Sequence, residues 1–222
     1  MSSLHNETAR EARRVQQPLM TGDEADARSI AGLAQQAAHC RRCPLWKDAT
    51  QTVFGEGPEN AQLFFVGEQP GDREDLAGKP FVGPAGRLLD EILLEAEIDR
   101  RKTYVTNAVK HFKFEPRGKR RIHSKPNTGE VSACRWWLDK ELALTKPKIA
   151  VALGATAAQG LLGKAVPVLK MRGQTVKRED SLEVFLTVHP SYLLRIRQPA
   201  DAAAERHRFL DDMRKVKALM TS

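Results

Sequence analysis

Short, wholly apolar runs alternate along this chain with stretches in which apolar residues recur at every third or fourth position. That alternation predicts buried parallel strands joined by helices. The strands are QLFFVG (Gln62 to Gly67), YVTNAV (Tyr104 to Val109) and IAVALG (Ile149 to Gly154). Pro84 opens the helix AGRLLDEILLEAEI, whose leucines and isoleucines keep helical spacing. Asn127 and Glu130 make a capping-box-like start to EVSACRWWLDKELALT. ATAAQGLL reads as a helix after the third strand. GQTVKR and EVFLTV flank EDSL as a hairpin leading to His189-Pro190-Ser191, and DAAAERHRFLDDMRKVKALM closes the chain as an amphipathic helix. Upstream, DEADARSIAGLAQQAAHC predicts a helix from Asp23 that delivers Cys40 at its C-terminal end.

Residues 1–22 are polar and patternless, which predicts a flexible tail ahead of one domain spanning 23–222. Two further segments lack any period: EQPGDREDLAGKPFVGP and KHFKFEPRGKRRIHSKP (Lys110 to Pro126). Both read as loops, the second of functional length. The expected fold is a single doubly wound α/β domain with a central, mainly parallel sheet flanked by helices. Sites in such sheets gather where strand C-termini open into loops, and each loop of interest here leaves a strand at that edge.

Composition narrows the function. The 36 Lys and Arg outnumber the 28 Asp and Glu, a formal charge of +8 that favours a polyanion such as nucleic acid, although charge alone equally fits a solvated surface. No run approaches the roughly 20 apolar residues of a membrane helix, and the N-terminus lacks the apolar core of a signal peptide. The expectation is a cytoplasmic protein, monomeric and without an obligate protein partner. Three cysteines, an odd number, argue against a disulfide framework. Cys40 and Cys43 put two thiols within one turn, and Cys134 adds a third from a helix. His111 is the nearest fourth ligand in kind, since imidazole can replace a thiolate on iron. These residues alone leave zinc, an iron-sulfur cluster and three unrelated buried thiols all open.

Four segments in order, GEQPG (Gly67 to Gly71), GKPFVGPAGRLLD, TNAVKHFKF and HPSYLLR (His189 to Arg195), resemble the iron-sulfur uracil-DNA glycosylases. The likeness covers nearly everything from Cys40 to Arg195. Lys119-Arg120-Arg121-Ile122-His123 is similar to the KRRIH insertion of the UdgX branch, and so is His111 where ordinary iron-sulfur uracil glycosylases carry a cysteine. The resemblance implies a 4Fe-4S cluster held by Cys40, Cys43, His111 and Cys134. It implies uracil-containing DNA as partner, single strands preferred. It also implies that uracil is excised and the protein then stays covalently bound, through His123, to the abasic deoxyribose.

On this reading Phe81 stacks on the uracil, a contact worth about 1–3 kcal/mol that any base would satisfy. Asn107, with Gly67 beside it, reads the base edge through one donor and one acceptor. His189 donates to the departing base, and Glu68 and Gln69 face the sugar cation. His123 is the tethered nucleophile. Lys119, Arg120, Arg121 and Lys125 contact phosphates, as do Ser191 and Arg195, and Arg121 also lowers the proton affinity of His123. The cluster pins the N-terminal helix to the basic loop, since the reaction needs no electrons, and Trp136 and Trp137 shield it. Each residue has an ordinary alternative: a core plug for Phe81, a turn for Asn107, a cap for His189, a phosphate contact for His123. Two other functions compete, a turnover glycosylase that releases an abasic site and a non-catalytic nucleic-acid-binding iron-sulfur protein.

Overall fold

A computed structural model of the chain describes residues 27–221, so the expected tail at 1–22 lies outside the described residues. Helix α1 (Ile30–Ala37) starts where the Ser29 hydroxyl accepts the Gly32 amide at 3.1 Å; the expected start at Asp23 lies outside the described residues, and Cys40 follows the last turn as expected. After a 3-10 turn at Pro44–Lys47 come β1 (Leu63–Gly67), α2 (Asp72–Ala77), α3 (Pro84–Glu95) and β2 (Thr103–Asn107). The strands β3 (Phe114–Arg117) and β4 (Arg120–His123) precede α4 (Thr128–Thr145), which begins at the predicted Asn127–Glu130 capping box. The chain ends through β5 (Ile149–Leu153), α5 (Ala155–Leu162), β6 (Thr175–Lys177), β7 (Glu183–Thr187), α6 (Pro190–Leu193) and α7 (Pro199–Thr221).

Among the described residues the main sheet runs β2-β1-β5-β7-β6, parallel throughout except for the edge strand β6, which pairs antiparallel with β7 as the predicted hairpin. Successive residues of β1 feed two cores. Phe64 and Val66 pack with Leu33, Trp137, Leu138 and Leu161, on the side of α1, α4 and α5. Leu63 and Phe65 pack with Leu89, Ile92, Phe209 and Met213, on the side of α3 and α7. Both faces are covered, which is why β1, β2 and β5 read as unbroken apolar runs. No helix among the described residues is long and apolar enough to cross a membrane.

Two expected loops contain structure. The first holds the single-turn α2, too short to show a helical period. The second is an antiparallel ribbon in which Phe114 pairs with His123 and Arg117 with Arg120. Gly118 takes φ 59° at the first position of its two-residue turn, which type II′ hairpins require. The strand expected to reach Val109 ends at Asn107, and the Ala108 and Val109 amides bond instead to the carbonyls of Gly67 and Glu68 at 2.9 and 3.0 Å.

Candidate active site

The parallel strands empty into one cleft of about 1050 Å³. Glu68 and Gln69 follow β1, Asn107 ends β2, Gly154 follows β5 and His189 follows β7, all at the edge where the strand order reverses about β1 and β5. A Cβ on Gly67 would lie 2.3 Å from Asn107 Oδ1 and 2.8 Å from Phe81 Cζ, so both side chains rest directly over the end of β1. Phe81 holds φ 58°, a conformation costly for a non-glycine residue. Its surroundings impose it. The Phe81 carbonyl approaches Gly86 so closely that a Cβ there would fall 1.7 Å away, and the Glu74 carboxylate accepts the Gly83 amide at 2.8 Å. The Phe81 ring lies 28° from parallel with that of His189, their centroids 6.2 Å apart.

His189 has a fixed tautomer. The Ser191 amide, which can only donate, points to Nδ1 at 3.1 Å, so the ring proton sits on Nε2. Removal from water pushes the imidazole down to about 4, against the opposing charge of Glu68 and with help from Arg195 and His123. It is therefore a neutral donor at pH 7. Burial acts to raise the Glu68 carboxyl, but hydrogen bonds from His123 and Thr156 and the charge of His123 and His189 outweigh it and hold Glu68 below its ordinary value. Glu68 Oε1 stands 3.1 Å from Nε2 of His123 at the tip of β4, whose half-exposed ring also borders the cleft.

Two contacts that the sequence does not reveal hold the ribbon over the cleft. Gln69 Nε2 donates to the carbonyls of Lys113 and Ser124 at 3.0 and 3.1 Å, and its Oε1 accepts the Lys113 amide at 3.1 Å. Its amide thus joins the start and the finish of the ribbon, while Gln69 still lines the cleft. Arg121 pairs with Asp72 and the wholly buried Asp75, each at 2.6 Å, and lies over the rings of Phe112 and Phe114 at 5.4 and 5.2 Å. It anchors the ribbon to α2, where a phosphate contact was expected. Asp75 is fixed in turn by the Thr50 amide at 3.0 Å. Lys119, Arg120 and Lys125 are exposed, and no carboxylate among the described residues pairs with them. Ser191 and Arg195 line the cleft beside His189.

Residues 54–214 match the Uracil DNA glycosylase superfamily. The chain belongs to that superfamily. It is 38% identical over 189 residues to the Type-4 uracil-DNA glycosylase of Thermotoga maritima, covering 85% of this chain and 93% of that protein. It is 34% identical over 174 residues to the protein of the same name from Sulfurisphaera tokodaii, covering 75% of this chain and 76% of the relative. With the Saccharolobus solfataricus protein it shares 32% over 198 residues, 86% of each chain.

In this member of the uracil DNA glycosylase superfamily, Cys40, Cys43 and Cys134 are all buried and close enough for their charges to interact. Among the described residues no three His, Cys, Asp or Glu side chains converge as a single bound ion requires. Three thiols and one imidazole are, by their chemistry, a donor set that an iron-sulfur cluster accepts, each ligand on its own iron. The Trp137 indole donates to Cys40 Sγ at 3.0 Å and the Lys110 amide to Cys134 Sγ at 3.2 Å, as N–H groups do around cluster sulfurs. Buried His111 Nδ1 has no hydrogen-bond partner, while Nε2 sits 3.0 Å from the Thr52 hydroxyl. With Nε2–H donating to Thr52, Nδ1 presents a bare lone pair, the form that ligates iron. Burial pushes the Cys134 thiol up to about 12, so a positive centre is needed to keep it ionised. Lys110, wholly buried against Glu141, also donates to the Asn107 carbonyl at 2.8 Å and so ties the C-terminal end of β2 to this region.

Proposed function

We propose that this protein excises uracil from DNA and is then captured on the abasic sugar through His123, the chemistry of the UdgX branch. The single observation that carries the reading is the 3.1 Å contact between His123 Nε2 and Glu68 in the cleft that also holds Asn107, Phe81 and His189. The relatives named Type-4 uracil-DNA glycosylases support excision; the ribbon histidine supports capture.

The base, flipped or taken from a single strand, stacks on Phe81 and meets Asn107 at its edge. As the bond between base N1 and sugar C1′ breaks, its electron pair leaves with uracil, and the Nε2–H of His189 stabilises the anion. The Glu68 carboxylate stabilises the sugar cation and takes the Nε2 proton of His123. Nδ1 of the half-exposed ring takes a proton from water as Nε2 gives its own to Glu68, so the ring stays a neutral imidazole; the freed lone pair on Nε2 bonds to C1′, and the Nδ1 proton of the resulting imidazolium returns to water. The proton on Glu68 passes to the departing base or to solvent. Cys40, Cys43, Cys134 and His111 would hold a 4Fe-4S cluster, which when bound cross-links α1, the segment before the ribbon and α4. Iron and sulfide analysis of the purified protein, with loss of both in Cys134→Ser, checks that assignment.

A uracil-containing oligonucleotide run with the protein on a denaturing gel tests the function. A heat-stable, slowed band is expected from the wild type, while His123→Ala should release uracil and give no band. A crosslink that survives His123→Ala would overturn the capture step, and wild-type protein that releases no uracil would overturn the whole reading.

A further inference from the structure

Thr156 is buried in the first turn of α5, an alanine-rich helix, and the chemistry above gives it no part. Its hydroxyl donates to Glu68 Oε2 at 2.5 Å, while the other carboxylate oxygen, Oε1, faces His123. Three contacts fix this donor relative to its acceptor. Gly154 opens α5 at φ 93° and ψ 174°, a conformation that residues with side chains rarely adopt, and its amide bonds to the Thr187 carbonyl at 2.9 Å. A Cβ on Gly160 would fall 2.8 Å from the Cβ of Ala108, so α5 lies directly against the segment that follows β2. That segment is bonded in turn to the Gly67 and Glu68 carbonyls through the Ala108 and Val109 amides. Hydroxyl and carboxylate therefore hang from one rigid frame, and the bond between them does not depend on the ribbon.

We propose that Thr156 is a positioning residue that keeps the Glu68 carboxylate turned so that Oε1 alone is open to the His123 proton. The inference rests on the capture reading. The last torsion of a glutamate is broad and roughly two-fold, so a contact at Oε1 by itself leaves the carboxylate free to swing. A hydroxyl keeps its own proton when it donates to a carboxylate, so Thr156 occupies Oε2 and directs the exchange with His123 to the other oxygen. The same bond favours the charged form. Burial acts to raise the Glu68 carboxyl, and the hydrogen bonds from His123 and Thr156 oppose it together with the charge of His123 on β4 and of His189 after β7. On α2, Asp72 is matched by Arg121, and Glu74 accepts the Gly83 amide. Opposing a sugar cation is a matter of charge and survives a small rotation, whereas taking a proton needs an aligned hydrogen bond. Loss of the hydroxyl should therefore cost capture more than release.

The test sets Thr156→Val, which keeps the branched shape and removes the hydroxyl, beside Thr156→Ser, which keeps the hydroxyl. In single turnovers on a uracil-containing single strand, adduct formed per uracil released should fall at least about tenfold in Thr156→Val, with release itself changed less than about threefold, and Thr156→Ser should recover most of the loss. The carbon-13 signal of the Glu68 carboxyl, assigned by its absence in Glu68→Gln, should titrate at higher pH in Thr156→Val than in the wild type and return in Thr156→Ser. An unchanged ratio, an equal loss in both steps, or a carboxyl that titrates alike in all three proteins overturns the proposal. So does a loss that Thr156→Ser fails to recover, which would trace it to packing of the side chain. The titration needs no DNA, so it separates the two failures: a wild type that forms no adduct removes the capture reading, and this role with it, even where the carboxyl shows that the bond from Thr156 is made.

Discussion

The floor of the cleft and the ribbon above it are built on opposite terms. Asn107, Phe81 and Glu68 sit at the ends of buried parallel strands or on turns locked by Gly86 and Glu74, where packing from both cores fixes them. His123 stands on a two-stranded ribbon with little core of its own, whose place depends on the Gln69 amide and on Arg121 with its two aspartates. On the proposed function, base recognition and bond breaking fall to the rigid part, and capture to a part that a few polar contacts position. The two functions should separate under mutation.

Glu68 is where the two regions touch, so its loss should have the largest effect. Glu68→Gln keeps the size of the side chain but removes the charge proposed to oppose the sugar cation and the base proposed to accept the His123 proton. Uracil release should fall about a thousandfold and adduct formation at least as far. Single-turnover assays that count free uracil and crosslinked protein separately would register both. A variant that still released uracil at near wild-type rate would mean that the floor works without this carboxylate.

Cutting the ribbon's anchor should divide the activities. Arg121→Met removes the pairs with Asp72 and Asp75 and preserves aliphatic packing on Phe112 and Phe114. Displacing a reacting group by about 1 Å can cost a hundredfold, so adduct yield per uracil released should drop between about tenfold and a hundredfold while release itself changes little. Equal losses in both would show that the ribbon also shapes the base pocket.

Protons probe the floor alone. Folding lowers His189 from 6.5 to about 4, so between those values the unfolded chain binds a proton that the folded one does not. Stability therefore rises with pH across that window and is lost as pH falls through it. Glu68, depressed on folding, adds stability that is present above its ordinary range and lost at still lower pH. Melting temperatures recorded from pH 4 to 6.5 should climb with pH in the wild type and less steeply in His189→Gln. Identical slopes would mean that the imidazole is not held neutral by its surroundings.

The contrast between floor and ribbon also marks what the sequence makes legible. Strands such as Leu63–Gly67 are buried on both faces and announce themselves as apolar runs. The strands Phe114–Arg117 and Arg120–His123 bury neither face, so Glu115, Arg117, Arg120 and Ile122 give no alternation to read. The one available signal was Gly118 followed by Lys119, a glycine in the first place of a two-residue turn. Gln69 illustrates a further limit. Its position in GEQPG marks it as a site residue, yet its role depends on partners at Lys113 and Ser124 that only folding brings near. Asp75 and Thr156 escape sequence reading altogether, because a carboxylate in a short acidic helix and a threonine in an alanine-rich one look ordinary until Arg121 and Glu68 are placed against them.

The smallest effect belongs to the exposed cations of the ribbon and its flank. Among the described residues no carboxylate pairs with Lys119, Arg120 or Lys125, unlike Arg121, so their ammonium and guanidinium groups are available to phosphates. A phosphate contact releases condensed counterions, and each one lost should lower the slope of log affinity against log salt by about 0.7 on single strands, without changing which base is accepted. Arg120→Ala and Lys119→Ala should each remove one such step, whereas Arg121→Met should leave the slope nearly intact because its charge is already matched by Asp72 and Asp75. Binding isotherms over a range of salt would separate the two kinds of arginine. A full step lost with Arg121 would mean that it leaves its aspartates for the DNA, and that the ribbon moves when substrate binds.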